Sequence, residues 1–242
     1  AMRLARLPVL VAMLALFLLL VSGPGTRLEL WHFRTGFMLM RWATFLGLGA
    51  AAVAVLLLLV SRTRRGHAMT LIFGTVLGLA AAAPPLLAAY RGKAVPFIHD
   101  ISTDTTRPPE FVAILPLRAD APNPAAYGGP EIAAAQASGY PDLHAQILDV
   151  APAEAFQRVE KIARDMGWAI VAADAATGRI EATDTTFWYG FKDDIVIRIE
   201  AEGEASRIDI RSVSRVGKSD VGKNAARIRA FIKQLGSQPV GS

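Results

Sequence analysis

The stretch Asp194-Ile195-Val196-Ile197-Arg198-Ile199-Glu200-Ala201-Glu202 decides the fold of the C-terminal part of this chain. Ile195, Ile197, Ile199 and Ala201 fall on one face. Val196, Arg198, Glu200 and Glu202 fall on the other, the pattern of a half-buried antiparallel strand. Gly203-Glu204 turns the chain back into Arg207–Arg215, where Ile208 and Ile210 face inward. Upstream, Arg179–Thr185 reads as a strand returning from Trp168–Ala173 across the turn Asp174–Gly178. Pro152–Met166 reads as a helix with proline in its first turn and Phe156, Val159, Ala163 and Met166 on one face. Leu143–Val150 reads as a further strand. After the last strand, Ser219 is placed to cap a helix to Leu235, with Val221, Ala225, Ile228, Ile232 and Leu235 inside and Gly236 ending it. The order predicts an α+β domain over 143–242, an antiparallel sheet with two helices packed on one face.

Residues 94–142 hold eight of the fourteen prolines. Such a stretch cannot be mostly helix or central strand, so it is expected as an extended strap over the core, with a short helix at Glu131–Ser138.

Residues 1–93 are of another kind. They carry ten basic residues against one acid, Glu29, so the net charge of +5 comes from this part, the remainder being acidic. Leu4–Val21, Phe37–Val60 and Ala68–Tyr90 are apolar runs long enough to span a bilayer, so 1–93 is expected as a three-helix transmembrane anchor. Met2–Arg6 would suit a signal peptide. Ser22-Gly23-Pro24-Gly25 and two further spans favour an uncleaved anchor. Arg3 and Arg6, and Arg62, Arg64 and Arg65 between spans two and three, place the N-terminus in the cytoplasm and residues after Tyr90 in the periplasm of a bacterial inner membrane. Trp31, Phe33, Trp42 and Tyr90 sit where an aromatic belt would form, and Arg41 can snorkel to the same interface. Gly74, Gly78 and Ala82, with Gly47 and Ala51, have helix-packing spacing, within the chain or between chains. Pro84-Pro85 is expected to kink or end span three. The spans lack ionisable residues at their middles, which argues against a transport path.

The segment Ile101–Asp104 with Pro108–Phe111, the linker Tyr127–Pro141, the run Ile180-Glu181-Ala182-Thr183-Asp184-Thr185-Thr186-Phe187-Trp188-Tyr189-Gly190-Phe191-Lys192-Asp193-Asp194-Ile195-Val196-Ile197-Arg198, and Arg211–Arg215 with Asp220–Asn224 resemble the domain-of-unknown-function family 1499. The resemblance covers roughly 97–236. It implies a bacterial envelope protein, in related form one of photosynthetic organelles, and carries no activity or catalytic residues with it.

The chain contains no cysteine, which excludes disulfides, thiolate metal sites and cysteine nucleophiles. His32, His67, His99 and His144 form no metalloprotease or deaminase motif, and neither a nucleophile elbow nor a phosphate loop is present. His99, Asp100 and Asp104 could ligate a cation, or the two aspartates could cap turns. Asp193-Asp194 could be a carboxylate pair, but neighbours on a strand face opposite ways, which favours a turn or edge role. No catalytic, cofactor or metal residue is assigned, and the basic charge of the apolar half is no nucleic-acid footprint.

Two features suggest contact with a partner or a membrane. Phe187, Trp188, Tyr189 and Phe191 crowd one strand connection, either as core or as an exposed aromatic loop. Arg207, Arg211 and Arg215 on the last strand, with Lys223, Arg227, Arg229 and Lys233 on the last helix, make residues 207–242 basic while 94–206 are acidic. Such charges read as a solvated face, or as a surface for anionic lipid or an acidic partner. The expected function is non-enzymatic: a periplasmic interaction domain acting as accessory or assembly subunit of a larger membrane complex, with membrane lipids and other membrane-protein subunits as partners. The alternatives are a module binding lipid or another hydrophobic ligand, and a metal-dependent or carboxylate hydrolase.

Overall fold

A computed structural model describes residues 2–237, the side chains of Met2 and of 61–65 excepted. The charges of Arg62, Arg64 and Arg65 therefore lie outside the described residues. The chain divides into two compact units. One is Ala1–Lys93 with Phe187–Gly190, the other Ala94–Thr186 with Phe191–Ser242.

The first unit contains α1 (Met2–Arg27), α2 (Phe33–Leu59) and α3 (Ser61–Lys93). Each is long and apolar enough to cross a membrane. Its interior holds small side chains: Ala5, Ala12 and Ala15 of α1, Ala43 and Ala54 of α2 and Ala81 of α3 are fully buried, whereas Leu10, Phe17, Leu56 and Val76 are about 60% exposed. Helices in lipid gain little by hiding leucine from one another. Close backbone approach through small residues does the work. A Cβ at Gly47 would lie 2.5 Å from the Gly78 carbonyl oxygen, and one at Gly78 just 2.5 Å from that of Gly47. Ala51 Cβ and Ala82 N each stand 3.4 Å from these imagined atoms, and a Cβ on Gly74 would meet Val9 of α1 at 3.2 Å. All five residues thus pack inside one chain.

The helices run further than the sequence suggests. Ser22–Gly25 lies inside α1, which runs on to Arg27, and the Ser22 hydroxyl donates to the Leu19 carbonyl at 2.7 Å. Pro84-Pro85 neither ends nor breaks α3, whose non-helical dihedrals are at His67 (φ −138°, ψ 16°). Ala81 and Ala82, buried just before the prolines, pack the backbone against its neighbours. Such support lets helices of this kind carry proline.

In the second unit β1 (Asp100–Ser102), a 3-10 turn (Leu115–Arg118), α4 (Pro130–Gly139), β2 (Gln146–Leu148), α5 (Pro152–Asp165), β3 (Ala169–Asp174), β4 (Arg179–Thr185), β5 (Lys192–Glu202), β6 (Ala205–Ser214) and α6 (Lys223–Ser237) follow in order. All strand pairings are antiparallel, in the order β1-β6-β5-β4-β3, with β2 also on β6. The core lies between one sheet face and the helices. Ile180, Ile195, Ile197, Ile208 and Ile210 meet Phe156, Val159 and Ile162 of α5 and Ala225, Ile228, Phe231 and Leu235 of α6. The Trp168 and Phe231 rings stack at 5.9 Å. The short α4 adds Ile132 and Ala135 to this side. At the β3–β4 turn, Gly178 has φ +62° and a Cβ there would strike the Ile199 carbonyl at 2.1 Å, so only glycine fits.

Three sequence expectations change. β5 is buried on both faces over Asp193–Ile197, because residues 94–142 cover the second: Val196 joins Phe111, Ile114 and Val213 in a cluster of its own. Leu143–Val150 yields a strand of only three residues, since Val150 N–H bonds the Leu148 carbonyl and bends the chain into α5. Helix α6 starts at Lys223, not after Ser219. Val221 has φ +55° and is exposed, and the Asp220 carboxylate accepts the N–H groups of Gly222 and Asn224.

Gly78→Leu is expected to lower the stability of the helical unit by about 1–3 kcal/mol through overpacking. Gly49→Leu, where a Cβ meets nothing within 4 Å, should leave the thermal midpoint in detergent unchanged. Equal midpoints for the two variants would contradict the packing described.

Candidate functional site

The second sheet face, expected to be solvated, is a buried field of arginine–carboxylate pairs beneath the proline-rich strap. Alternation sends Glu181 and Thr183 of β4, Asp194, Val196 and Arg198 of β5, and Asp209, Arg211 and Val213 of β6 to this side. Asp194, with no exposed surface, accepts from Arg118 Nη1 at 2.6 Å, Arg215 Nε and Nη2 at 2.8 Å, and the Thr183 hydroxyl at 2.7 Å. Arg118 comes from the strap's 3-10 turn and also reaches the Asn123 carbonyl at 3.1 Å.

Arg211 grips Asp100 at 2.9 and 2.7 Å and donates to the Pro109 and Ala125 carbonyls. Its guanidinium lies between the Phe111 and Tyr127 rings, 5.2 and 5.3 Å from their centres. Glu181 is fully buried and accepts the backbone N–H groups of Val112, Ala113 and Ile114 at 2.9–3.1 Å. Arg198 bridges Asp104 and Asp209, each at 2.9 Å. Burial works to raise the Asp104 carboxyl, but the N–H groups of Arg107 and Thr106 and the Arg198 guanidinium hold it below its ordinary value.

The core side carries one polar cluster. Asp184 and Asp193 face each other across β4 and β5, and Arg227 of α6 joins them at 2.7 and 2.6 Å. Arg227 also donates to the Ser212 hydroxyl and to Asn224. Burial pushes the nearby Asp220 carboxyl up.

Asp193 and Asp194 thus point to opposite faces, as neighbours on a strand should. Neither stands at a turn or edge, for both are buried in an interior strand. The other candidate ligands disperse. Asp100 pairs with Arg211 and Asp104 with Arg198, while the His99 ring approaches the Lys218 carbonyl at 3.4 Å. Among the described residues no group of three His, Asp or Glu could hold a metal ion.

The basic face needs correction. Arg211 and Arg227 are at most 5% exposed, since a lone buried carboxylate would cost more than burying its arginine with it. Arg215 is spent on Asp194, and Arg207 pairs with Asp209 at 2.9 Å. Lys223 and Lys233 are exposed, and exposed Arg229 holds Asp142 at 2.6 Å. Sequence reading missed Glu181 and Arg118. The sign of the first was a glutamate alternating with Ile180 and Ala182 in a strand. Arg118 gave none, being one more charge in a proline-rich stretch.

The aromatic connection behaves differently. Phe191 closes its base, exchanging hydrogen bonds with Thr186 at 2.8 and 2.9 Å. Phe187–Gly190 is part of the helical unit. A Cβ on Gly23 of α1 would come 2.2 Å from Trp188 Cδ1, and one on Gly36 of α2 just 3.0 Å from Tyr189 Cε1. The Tyr189 hydroxyl lies 3.4 Å from Ser22 Oγ, and its ring meets Phe37 edge-on at 5.0 Å. Arg27 donates to the Phe187 carbonyl at 2.7 Å. Trp188 and Tyr189 are half-buried; Phe187 is 83% exposed.

Residues 100–235 match the family model described as protein of unknown function, DUF1499. The chain belongs to the DUF1499 family. The match covers the strap from residue 100, the sheet, α5 and nearly all of α6, and leaves α1–α3 outside it. No curated protein matches the chain. In this DUF1499 domain the surface offers open grooves. One, of about 370 Å³, is lined by charges of both signs from Arg107, Glu110, Arg179, Arg198 and Glu200. Another, of about 680 Å³, lies where Phe156 and Glu160 of α5 meet the Ala175–Gly178 turn and Ile199.

Asp194→Asn leaves two arginines without their carboxylate and is expected to destabilise the domain by about 3–5 kcal/mol. Arg107→Ala, which breaks the exposed pair with Glu200, should cost less than about 1 kcal/mol. Denaturant unfolding of the full chain in detergent compares them.

Burial and the Asp100 charge push the Tyr127 phenol up to about 12, with Arg211 opposing. Unfolded tyrosine ionises near pH ~10. The stabilising contribution is therefore complete below that pH and is lost as pH rises through the folded value. Tyr127→Phe should flatten this part of the alkaline unfolding profile. It should be neutral or slightly stabilising at neutral pH, because the buried hydroxyl has no hydrogen-bond partner.

Proposed function

We propose that this DUF1499 protein is a non-catalytic subunit of a bacterial inner-membrane assembly. Three helices anchor it with the N-terminus in the cytoplasm, and the α+β domain serves as an interaction module in the periplasm. One observation carries the reading: the buried carboxylates on the two faces of the sheet are taken up by arginines or by backbone N–H groups. Asp100, Asp104, Glu181, Asp184, Asp193 and Asp194 each face an arginine or a row of backbone N–H groups. General acid–base work needs a group with a proton to move and room for a substrate beside it. A carboxylate saturated by buried guanidinium donors has neither. The alternatives of a hydrolase and of a module enclosing a hydrophobic ligand draw less support, the second because the space between sheet and helices is filled by the isoleucine-rich core.

Extraction from native membranes in mild detergent, followed by native mass spectrometry, tests the assembly role. The expected result is co-purification with larger membrane-protein partners, and a free monomer throughout would overturn it. A reporter fused after Ser242 should be active only on the periplasmic side.

A further inference from the structure

The seat of the β4–β5 connection in the helical unit leaves one residue unexplained. Gly23 and Gly190 remove side chains that would crowd Trp188 and Arg27, Gly36 removes one that would crowd Thr26 and Ser22 of α1 first and Tyr189 after them, and Gly190 adopts φ +71° to close the turn. Held this way, the backbone presents Phe187 outward at 83% exposure, with the Arg27 guanidinium 6.0 Å from its ring centre. In the neighbouring α1–α2 connection Leu28 and Leu30 are 67% and 69% exposed. The exposed apolar side of α1, including Leu14, Phe17 and Leu20, leads along the same helix to this end.

An outward-facing phenylalanine with two exposed leucines in the neighbouring connection matches the chemistry of the acyl-chain side of the boundary with the headgroups. Continuity with the apolar helix surface selects lipid as the occupant. We propose that Phe187, with Leu28 and Leu30, is an interfacial lipid-binding wedge, and that the glycine seat exists to hold it at that depth. The proposal rests on the membrane-anchor reading above.

The absence of cysteine allows a single label. Phe187→Cys in the full chain, carrying an environment-sensitive fluorophore, is reconstituted into phosphatidylcholine–phosphatidylglycerol vesicles. Glu204→Cys, in the exposed β5–β6 turn, serves as reference. The label at 187 should emit to the blue of that at 204, be quenched by lipid spin-labelled near the headgroup and resist iodide. Iodide quenching equal at both positions overturns the wedge. So does protection from both quenchers at 187 in native membranes, which would mean that a protein covers it. Adding Gly23→Leu to Phe187→Cys should restore iodide quenching, and unchanged lipid quenching would refute the seat. If the chain fails to float with vesicles, the anchor reading fails first and takes the wedge with it.

Discussion

Asp194 sits in the middle of a sheet with no access to water, and two arginines from distant segments, Arg118 and Arg215, complete its charge. Everything on that face follows from the need to surround such carboxylates. A buried ion pair contributes little net stability against an apolar pair of the same volume, because desolvation offsets attraction. Loss or misplacement of one partner costs several kcal/mol. The network is therefore a demanding template: residues 94–142 have few hydrogen bonds of the regular kind, and their path is set by where Arg211, Arg118 and Glu181 need donors or acceptors. Three backbone N–H groups converging on Glu181 and the carbonyls converging on Arg211 do for this segment what a ladder does for a strand.

The two units solve burial in opposite ways. In the α+β domain, branched and aromatic side chains fill the interior and the hydrophobic effect supplies the drive. In the helical unit alanine and glycine fill the interior and the large apolar groups look outward. Water would penalise that outer surface heavily; lipid would not. Phe187–Gly190 belongs to the helical unit although it is contiguous with a strand pair of the other.

Much of this was readable from residue order. The alternation in β5 and β6, the helix faces of α5 and α6, the three apolar runs and the proline-rich strap all follow from local periodicity and backbone chemistry. What periodicity could not reveal was the second buried face. Val196, Arg198, Glu200 and Glu202 look like a solvated row because arginine and glutamate usually are. Val196 is instead buried and Arg198 half-buried, under a strap about 80 residues earlier whose own sequence has no period, while Glu202 stays exposed. Arg211 and Arg227 were misjudged for the same reason, since a charge run shows neither its partners nor what lies above it. Ser219 was a plausible cap, but Asp220 one residue on offers both carboxylate oxygens. Pro84-Pro85 looked like a stop because helix rules drawn from water overstate the cost of proline where neighbouring helices hold the backbone.

The pairing of β1 with β6 carries a consequence for the order in which the molecule matures. Asp100–Ser102 finds its partners at Arg211–Val213, separated by nearly the whole domain, and Arg211 also fastens the strap. During synthesis α1–α3 are complete while the ribosome still holds the sequence that must lock residues 94–142 in place. Those residues are made before the partners that hold them. Contacts of such long range close slowly, and the sheet cannot close around β1 before β6 has been made.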